Sequence, residues 1–145
     1  MQTTTIDAVE LASRLRLGVT RLARRLRQEA EPGLTPSQQS ALSTIERHGR
    51  VTVGELCAIE QVQPPTMTRC VAALVDAGLT SREPDEADRR VAWLRITPEG
   101  ARLLARMRRR KEAFLVKRLR SLSPDELGVL DRAAPILEQL VGGSR

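Results

Sequence analysis

Four helix starts marked by proline constrain the fold of this chain more than any other feature. Thr35-Pro36-Ser37-Gln38 and Ser123-Pro124-Asp125-Glu126 follow the capping-box pattern, with proline at the first helical position. Pro64-Pro65 and Thr97-Pro98 are two further starts, where a missing backbone N–H does little harm. The chain is therefore predicted to be mainly α-helical, with helices that begin at these four points.

Apolar spacing predicts the two helices of the N-terminal half. Residues 7–29 should form the first, because apolar side chains recur there at steps of three and four. Glu31-Pro32-Gly33 should end it. The helix that starts at Pro36 should end at His48-Gly49, and its buried face should carry Ala41, Leu42 and Ile45. The stripe of the first helix consists of Leu11, Leu15, Val19, Leu22 and Leu26.

The middle of the chain predicts a short helix, a turn, a second helix and a hairpin. Val51-Thr52-Val53 should be extended, and residues 54–60 should form the short helix. The helix from Pro64 should end at Gly78, a glycine at the C′ position. Residues 79–83 and 91–96 should be strands joined by a polar loop at 84–90.

Two helices should follow the hairpin. One should run from Pro98 to about residue 120 and the other from Pro124 to about residue 141. Leu127, Leu130, Leu137 and Leu140 are the candidate buried positions of the last helix. The terminal helices have apolar stripes with no obvious partner in so small a core, so pairing between two chains is the expected way to bury them.

Composition limits the partners. The formal net charge is +6 and the sequence pI about 10.8, which favours a polyanion such as nucleic acid or an anionic membrane. Aromatic residues make up 1%, which argues against a surface that stacks bases on rings. No apolar run of membrane-spanning length occurs, and residues 1–7 lack an apolar signal core. We expect a cytoplasmic protein without a membrane partner.

Catalytic and metal-binding patterns are not found in the sequence. It contains no nucleophile motif, glycine-rich phosphate loop or metal-ligand spacing, so we expect no enzyme activity, no cofactor and no metal. His48 should lie at a helix C-terminus, where a cation is favourable. Cys57 and Cys70 do not form a disulfide scaffold, and packing is their default role. A redox-sensing regulator acting through these two cysteines is the alternative.

A helix–turn–helix followed at once by a hairpin is a winged helix-turn-helix. Its hairpin contains Asp88-Arg89-Arg90 followed by Leu94-Arg95-Ile96-Thr97-Pro98-Glu99-Gly100. This pattern resembles the MarR family, being similar to its Asp-x-Arg wing tip and apolar-Thr-x-x-Gly strand end. The spacing of Leu74, Gly78, Leu79 and Arg82 also looks like the family's recognition helix and first wing strand.

The resemblance implies a mainly α fold with a small β-wing. It further implies a homodimer formed through the N- and C-terminal helices. Residues 1–34 and 101–145 would dimerise and residues 35–100 would bind DNA, all within one compact domain. The implied function is a sequence-specific transcriptional regulator, a repressor that binds a pseudo-palindromic operator in double-stranded DNA and responds to a small anionic or phenolic effector. A sequence-indifferent basic architectural protein is the competing reading.

Candidate DNA contacts lie at the start of the second helix and in the wing. A recognition helix presents its N-terminal residues to the major groove. Thr66 and Thr68 should donate to phosphates, unless they are solvated helix surface, and Gln63 and Arg69 should read bases. By resemblance, Arg90 and Arg89 enter the minor groove and Asp88 holds the arginine, unless the loop is an ordinary charged one. The complete candidate set is Gln63, Pro65, Thr66, Thr68, Arg69, Arg82, Asp88, Arg89 and Arg90.

Two features depart from a simple reading. Glu60 and Gln61 stand where such turns usually have an apolar residue and a glycine, and Pro65 stands where a small polar residue is common. Residues 31–81 carry a net charge of −2 and residues 95–120 a net charge of +8. The basic stretch from Arg106 to Lys111 therefore flanks the DNA backbone, lines a site for an acidic ligand, or is a solvated helix face.

Overall fold

The computed structural model describes residues 5–30 and 33–142, and within them it confirms a mainly helical winged helix-turn-helix fold. Glu31 and Pro32, which should end the first helix, lie outside the described residues. In chain order the elements are α1 (Ala8–Glu29), α2 (Pro36–His48), β1 (Val51–Thr52), α3 (Val53–Glu60), α4 (Pro64–Asp76), β2 (Thr80–Pro84), β3 (Ala92–Ile96), α5 (Pro98–Leu119) and α6 (Pro124–Leu140).

The proline-marked helix starts are confirmed. Thr35 and Ser123 each form a complete capping box, with the side chain three residues later bonded back to the cap N–H. The Thr97 hydroxyl accepts a hydrogen bond from the N–H of Gly100. Pro64 opens α4 after Gln63, whose side chain makes no capping bond.

Several boundary predictions are wrong by one residue each. Asp7 is the N-cap of α1 and not its first residue, and Pro84, which was predicted in the loop, is the last residue of β2. Val53 begins α3 instead of extending β1, because Thr52 and Glu55 form a capping box that the sequence reading overlooked. Leu79 lies in the turn that follows α4 and not in β2, since its N–H bonds to the carbonyl of Leu74. Val91 belongs to the wing turn, where its N–H bonds to the carbonyl of Asp88.

The sheet is small, and its central strand gives it two distinct faces. The order is β1–β3–β2, and both pairings are antiparallel. Leu94 of β3 lies opposite Val51 on one side and Arg82 on the other. Leu94 is fully buried, and because side chains alternate along a strand, Trp93 and Arg95 lie on the outer face.

One apolar core holds the winged unit together and sets the orientation of α4. Met67, Val71 and Leu74 are buried on its inner side, so its opposite side faces outward. Helix α5 joins the same core through Leu104. The buried cluster consists of Ala41, Leu42, Ile45, Val51, Leu56, Met67, Val71, Leu74, Leu79, Leu94 and Leu104.

The terminal helices contribute no buried residue in the single chain. The candidate buried positions of α6 are wrong for an isolated chain, because no element of the same chain covers them. Leu127, Leu130, Leu137 and Leu140 are each at least 38% exposed. On α1, Leu11, Leu15, Val19 and Leu22 are exposed in the same way.

The end of α4 and the start of α5 meet at a close backbone contact. Gly78 adopts φ +74 and ends α4 in a Schellman turn. The Thr97 hydroxyl donates to the Gly78 carbonyl over 2.6 Å, and the Thr97 N–H donates to the Leu79 carbonyl over 3.0 Å. A Cβ on Gly100 would overlap that Leu79 carbonyl and lie 2.8 Å from Cγ1 of Ile96. Only glycine fits there without a backbone shift.

We therefore expect Gly100→Ala to destabilise the protein. The added methyl must displace backbone or Ile96, at a cost of about 1–3 kcal/mol in the free energy of unfolding. Urea denaturation followed by circular dichroism measures this change. Gly54→Ala is the matched control, because the nearest atom to its Cβ would lie 4.0 Å away. Equal unfolding midpoints for the two variants would contradict the prediction.

Candidate nucleic-acid interface

The start of α4 presents the predicted reading residues on its outer side. Pro65, Thr66, Thr68 and Arg69 are all exposed and lie in the first two turns. Gln63 is also exposed, and as an N-cap without a side-chain cap bond its amide remains available. The structure therefore brings the five helix candidates together at one end of α4.

The turn before α4 shows how the unusual Glu60 and Gln61 are accommodated. Gln61 adopts the left-handed conformation, φ 54 and ψ 46, where glycine is commonest. The Glu60 carboxylate accepts hydrogen bonds from the hydroxyls of Ser40, over 2.7 Å, and Thr44. Glu60 therefore fastens the end of α3 to α2, a role that its apolar counterpart in other turns could not perform.

The base of the wing is organised by Asp85. The N–H of Asp85 bonds to the Val91 carbonyl over 2.9 Å and closes the loop. One carboxylate oxygen accepts the N–H groups of Ala87 and Asp88, and the other accepts Nε1 of Trp93 over 2.8 Å. These hydrogen bonds lower the pKa of Asp85, with the Trp93 bond as the largest cause.

The wing tip contains the predicted Asp88–Arg90 pair. Oδ1 of Asp88 accepts the backbone N–H of Arg90 and its Nε, each over 3.1 Å, and Oδ2 accepts Nη2 over 3.3 Å. The Arg90 side chain is nevertheless 91% exposed. Asp88 thus pairs with one edge of the Arg90 guanidinium, while the rest of the group remains at the surface.

Two other wing candidates occupy different positions. Arg89 is exposed at the tip beside Arg90. Arg82 is exposed on β2 and lies directly opposite the buried Leu94, so it is on the sheet face that packs against the helices. Arg82 is therefore on the side of the sheet that faces α4, whereas the Asp88–Arg90 pair is at the far end of the hairpin.

Sequence reasoning missed Arg50 and the role of Trp93. The Arg50 guanidinium lies 3.9 Å from the centroid of the Trp93 ring, the geometry of a cation–π contact. The available signal was a single tryptophan at an outward position of the strand that leaves the wing. Nothing in the local sequence connects it with Arg50, which lies more than 40 residues earlier.

The cysteines and the histidine have structural surroundings. Cys57 and Cys70 are free, half-buried and packed against the core. Burial, followed by the nearby Glu60 carboxylate, raises the pKa of the Cys70 thiol, which lowers its reactive thiolate fraction.

The histidine is also accounted for by local structure, since Nδ1 of His48 lies 2.9 Å from the Thr44 carbonyl at the end of α2. Residues 5–30 and 33–142 contain no group of three or more side chains placed to hold a metal ion.

The basic stretch on α5 is partly turned toward the protein. Arg108 pairs with Glu46 of α2 over 2.7 Å. Lys111 is half-buried; burial is the largest cause of its lowered pKa, followed by the charges of Arg27 and Arg108. Lys111 also lines a groove of about 410 Å³ between α1, α2 and α5. In the part of the chain that the structure describes, no helix is both long and apolar enough to cross a bilayer.

Comparisons with known proteins agree with this geometry. Residues 34–92 match the model of the MarR family. An HTH-type transcriptional regulator of Mycobacterium leprae is 40% identical over 135 residues, which cover 92% of this chain and 94% of the relative. A transcriptional regulator of Pseudomonas aeruginosa superposes with a TM-score of 0.83 at 33% identity, covering 94% and 97%. FabT of Streptococcus pneumoniae, solved in complex with DNA, has the same fold, with a TM-score of 0.69 at 19% identity over 94% and 98%.

The wing pair makes the tip sensitive to acid. Bonds from the Arg90 side chain, then from its backbone, lower the pKa of Asp88. The ionised Asp88 carboxylate therefore stabilises the ordered tip at pH values above the ordinary pKa of aspartate. This stabilisation is lost as the pH falls through the lowered pKa of Asp88. We expect a carboxyl titration by NMR to give Asp88 a midpoint below the usual Asp value. Arg90→Ala should raise that midpoint and Arg89→Ala should not; an unchanged midpoint in Arg90→Ala would refute the pairing.

Proposed function

The chain belongs to the MarR family of HTH-type transcriptional regulators, and on that premise we propose that it is a homodimeric repressor of a pseudo-palindromic operator. Members of this family regulate transcription and are not enzymes. The observation that carries the proposal is the exposed start of α4, beside a hairpin whose tip carries Arg90 bonded to Asp88. Repression follows if the operator overlaps a promoter, because the bound dimer then blocks the polymerase.

Helix α4 is the element that enters the major groove. Thr66 and Arg69 are exposed in its first two turns. Gln63 and Arg69 have the amide and guanidinium groups that pair with base edges. Thr66 and Thr68 donate to phosphates, which are also attracted by the positive end of the helix dipole.

The wing contacts the neighbouring minor groove. Arg90 is anchored by Asp88 at its backbone and Nε, so little side-chain freedom is lost when the guanidinium enters the groove. A narrow minor groove concentrates negative potential, which favours an inserted arginine. Arg89 at the tip and Arg82 on β2 add positive charge near the DNA backbone.

The dimer is built by residues 1–34 and 101–145, and residues 35–100 bind DNA. The exposed apolar stripes of α1 and α6 need a partner. Charge supports a second copy of the chain as that partner: α6 carries Asp125, Glu126, Asp131 and Glu138 against Arg132, whereas α5 is strongly basic. The acidic α6 of one protomer therefore complements the basic α5 of its partner, and two reading helices can meet major grooves one turn apart.

Selection of genomic fragments tests this function. Purified protein is incubated with sheared DNA and excess nonspecific competitor near physiological salt, and bound fragments are sequenced. We expect an inverted repeat with half-sites about 34–36 Å apart and a preference over random DNA of roughly 10³-fold or more. Recovery of random fragments would favour the architectural reading, and recovery of none would favour a protein-binding module.

On the recovered operator, Arg90→Ala should weaken binding about 10- to 100-fold, because one anchored minor-groove contact is lost. Fluorescence anisotropy with labelled operator measures the change, and light scattering should still give the mass of two chains. Arg102→Ala is a charge-matched control on the exposed side of α5. Equal affinity for Arg90→Ala and the wild type would remove the wing from the mechanism.

The effector site is the groove between α1, α2 and α5. Its volume of about 410 Å³ lies in the range of small-molecule pockets. Three basic residues line it from three helices, namely Arg27, Arg47 and Lys111, together with the apolar Leu26. Burial, followed by the charges of Arg27 and Arg108, lowers the pKa of Lys111, so its cation is costly in this groove. A small anion with an apolar ring relieves that cost and bridges the dimer helix α1 to the DNA-binding unit.

Lys111→Met tests the effector site. A hydroxybenzoate should bind the wild type and release operator, while neutral benzamide should bind much more weakly. Loss of a partly buried cation should weaken hydroxybenzoate binding by roughly tenfold or more, measured by calorimetry. Lys117→Met is the control, because Lys117 lies on the same helix but does not line this groove. Equal losses in both variants would show that general charge, and not the groove, binds the anion.

A further inference from the structure

The wing is connected to the rest of the protein by the only indole of the chain. Nε1 of Trp93 donates to Asp85 over 2.8 Å, and the Arg50 guanidinium lies 3.9 Å from the centre of the same ring. We infer that Arg50, Trp93 and Asp85, the wing brace, position Arg90 for DNA binding. This inference rests on the proposed DNA-binding function and assigns the wing's orientation to three residues that do not themselves read DNA.

The brace begins on a fixed part of the sheet. Trp93 lies on the central strand β3, opposite Thr52 of β1 and Glu83 of β2. Its neighbour Leu94 is fully buried in the core, so the backbone that carries the indole is held by β1, by β2 and by the core. Arg50 immediately precedes β1, and its guanidinium lies over the indole ring, 3.9 Å from the centroid. The indole therefore has one defined orientation.

The carboxylates of Asp85 and Asp88 connect the indole to the wing tip. Asp85 accepts Trp93 with one oxygen and the N–H groups of Ala87 and Asp88 with the other, so it orders the start of the loop. Asp88 in turn holds the backbone N–H and the Nε of Arg90. The loop thus depends on side-chain acceptors for its shape.

Backbone bonds alone hold the tip weakly. The backbone hydrogen bonds across residues 85–91 are Asp85 N–H to the Val91 carbonyl and Val91 N–H to the Asp88 carbonyl. A loop that must be ordered when it meets DNA loses affinity by the entropy of that ordering. The brace supplies this order before binding, so its removal should affect affinity for DNA far more than it affects folding.

Trp93→Phe is the sharpest variant, because phenylalanine keeps an aromatic face for Arg50 but lacks the N–H donor and has a smaller ring. We expect operator affinity to fall roughly tenfold, as for loss of one hydrogen bond to a charged acceptor, with an almost unchanged urea midpoint. Affinity equal to that of the wild type would overturn the inference. An equal loss of stability would also overturn it, by reducing Trp93 to a packing residue.

Asp85→Ala and Glu86→Ala form the matched pair. Both remove one negative charge from the same loop, which by itself favours DNA, but only Asp85 has the bonds of the brace. Asp85→Ala should weaken operator binding roughly tenfold and Glu86→Ala should not weaken it. If both variants bind more tightly than the wild type, charge alone acts here and the brace has no role.

A double-mutant cycle separates positioning from other effects. If Trp93 acts through Arg90, Trp93→Phe should have little further effect in an Arg90→Ala background. Full additivity would overturn the inference. If Arg90→Ala alone binds like the wild type, the proposed role of the wing fails instead, and the two failures are thereby distinguished.

Hydrogen exchange of the indole N–H tests the brace in the absence of DNA. Because Trp93 is the only tryptophan, the protein has a single indole N–H signal by NMR. The bond to Asp85 should slow its hydrogen exchange, and Asp85→Ala should speed that exchange several-fold, whereas Glu86→Ala should leave it unchanged. Equal exchange in all three proteins would show that the brace does not form in solution.

Discussion

The close contact between the end of α4 and the start of α5 is the constraint on which the rest of the structure depends. Thr97 bonds to Gly78 and to Leu79, and Gly100 leaves no room for a side chain against the same backbone. Because β3 runs directly into Thr97, this contact fixes the hairpin relative to the reading helix. The position of the hairpin relative to α4, on which the proposed DNA binding depends, is thereby set by backbone groups, which tolerate little variation.

Several acidic side chains around the helix-turn-helix stabilise the fold. Glu60 joins α3 to α2, Glu55 closes the cap of α3, and Glu46 pairs with Arg108. These acids explain why the reading unit has a negative net charge despite its proposed partner. In the proposed function, attraction to DNA comes from a few placed cations and the helix dipole of α4. Such an arrangement favours specificity over general affinity, since sequence-independent binding scales with the number of phosphates neutralised.

Local signals predicted the elements well and their junctions less well. Proline and capping residues marked the helix starts, because an N-cap is a contact between residues three apart in sequence. The missed cap at Thr52 was of the same kind and was available from Thr52 and Glu55. By contrast, Val91 looked like a strand residue by alternation, and only its bond to Asp88 places it in the turn. The brace could not be predicted, since Arg50 meets Trp93 through strand pairing across the sheet.

The sequence by itself determined the helical order, the hairpin, and the family, because these depend on short-range periodicity and on a contiguous wing motif. It also determined which residues of α4 are apolar, and so which side of that helix can face outward. The tertiary structure decided how the elements act together: that Glu60 clamps a turn, that Lys111 faces Arg27 in a groove, and that Trp93 ties the wing to β1. These are contacts between residues far apart in sequence, and their energies exist only once the core has brought the elements to one place.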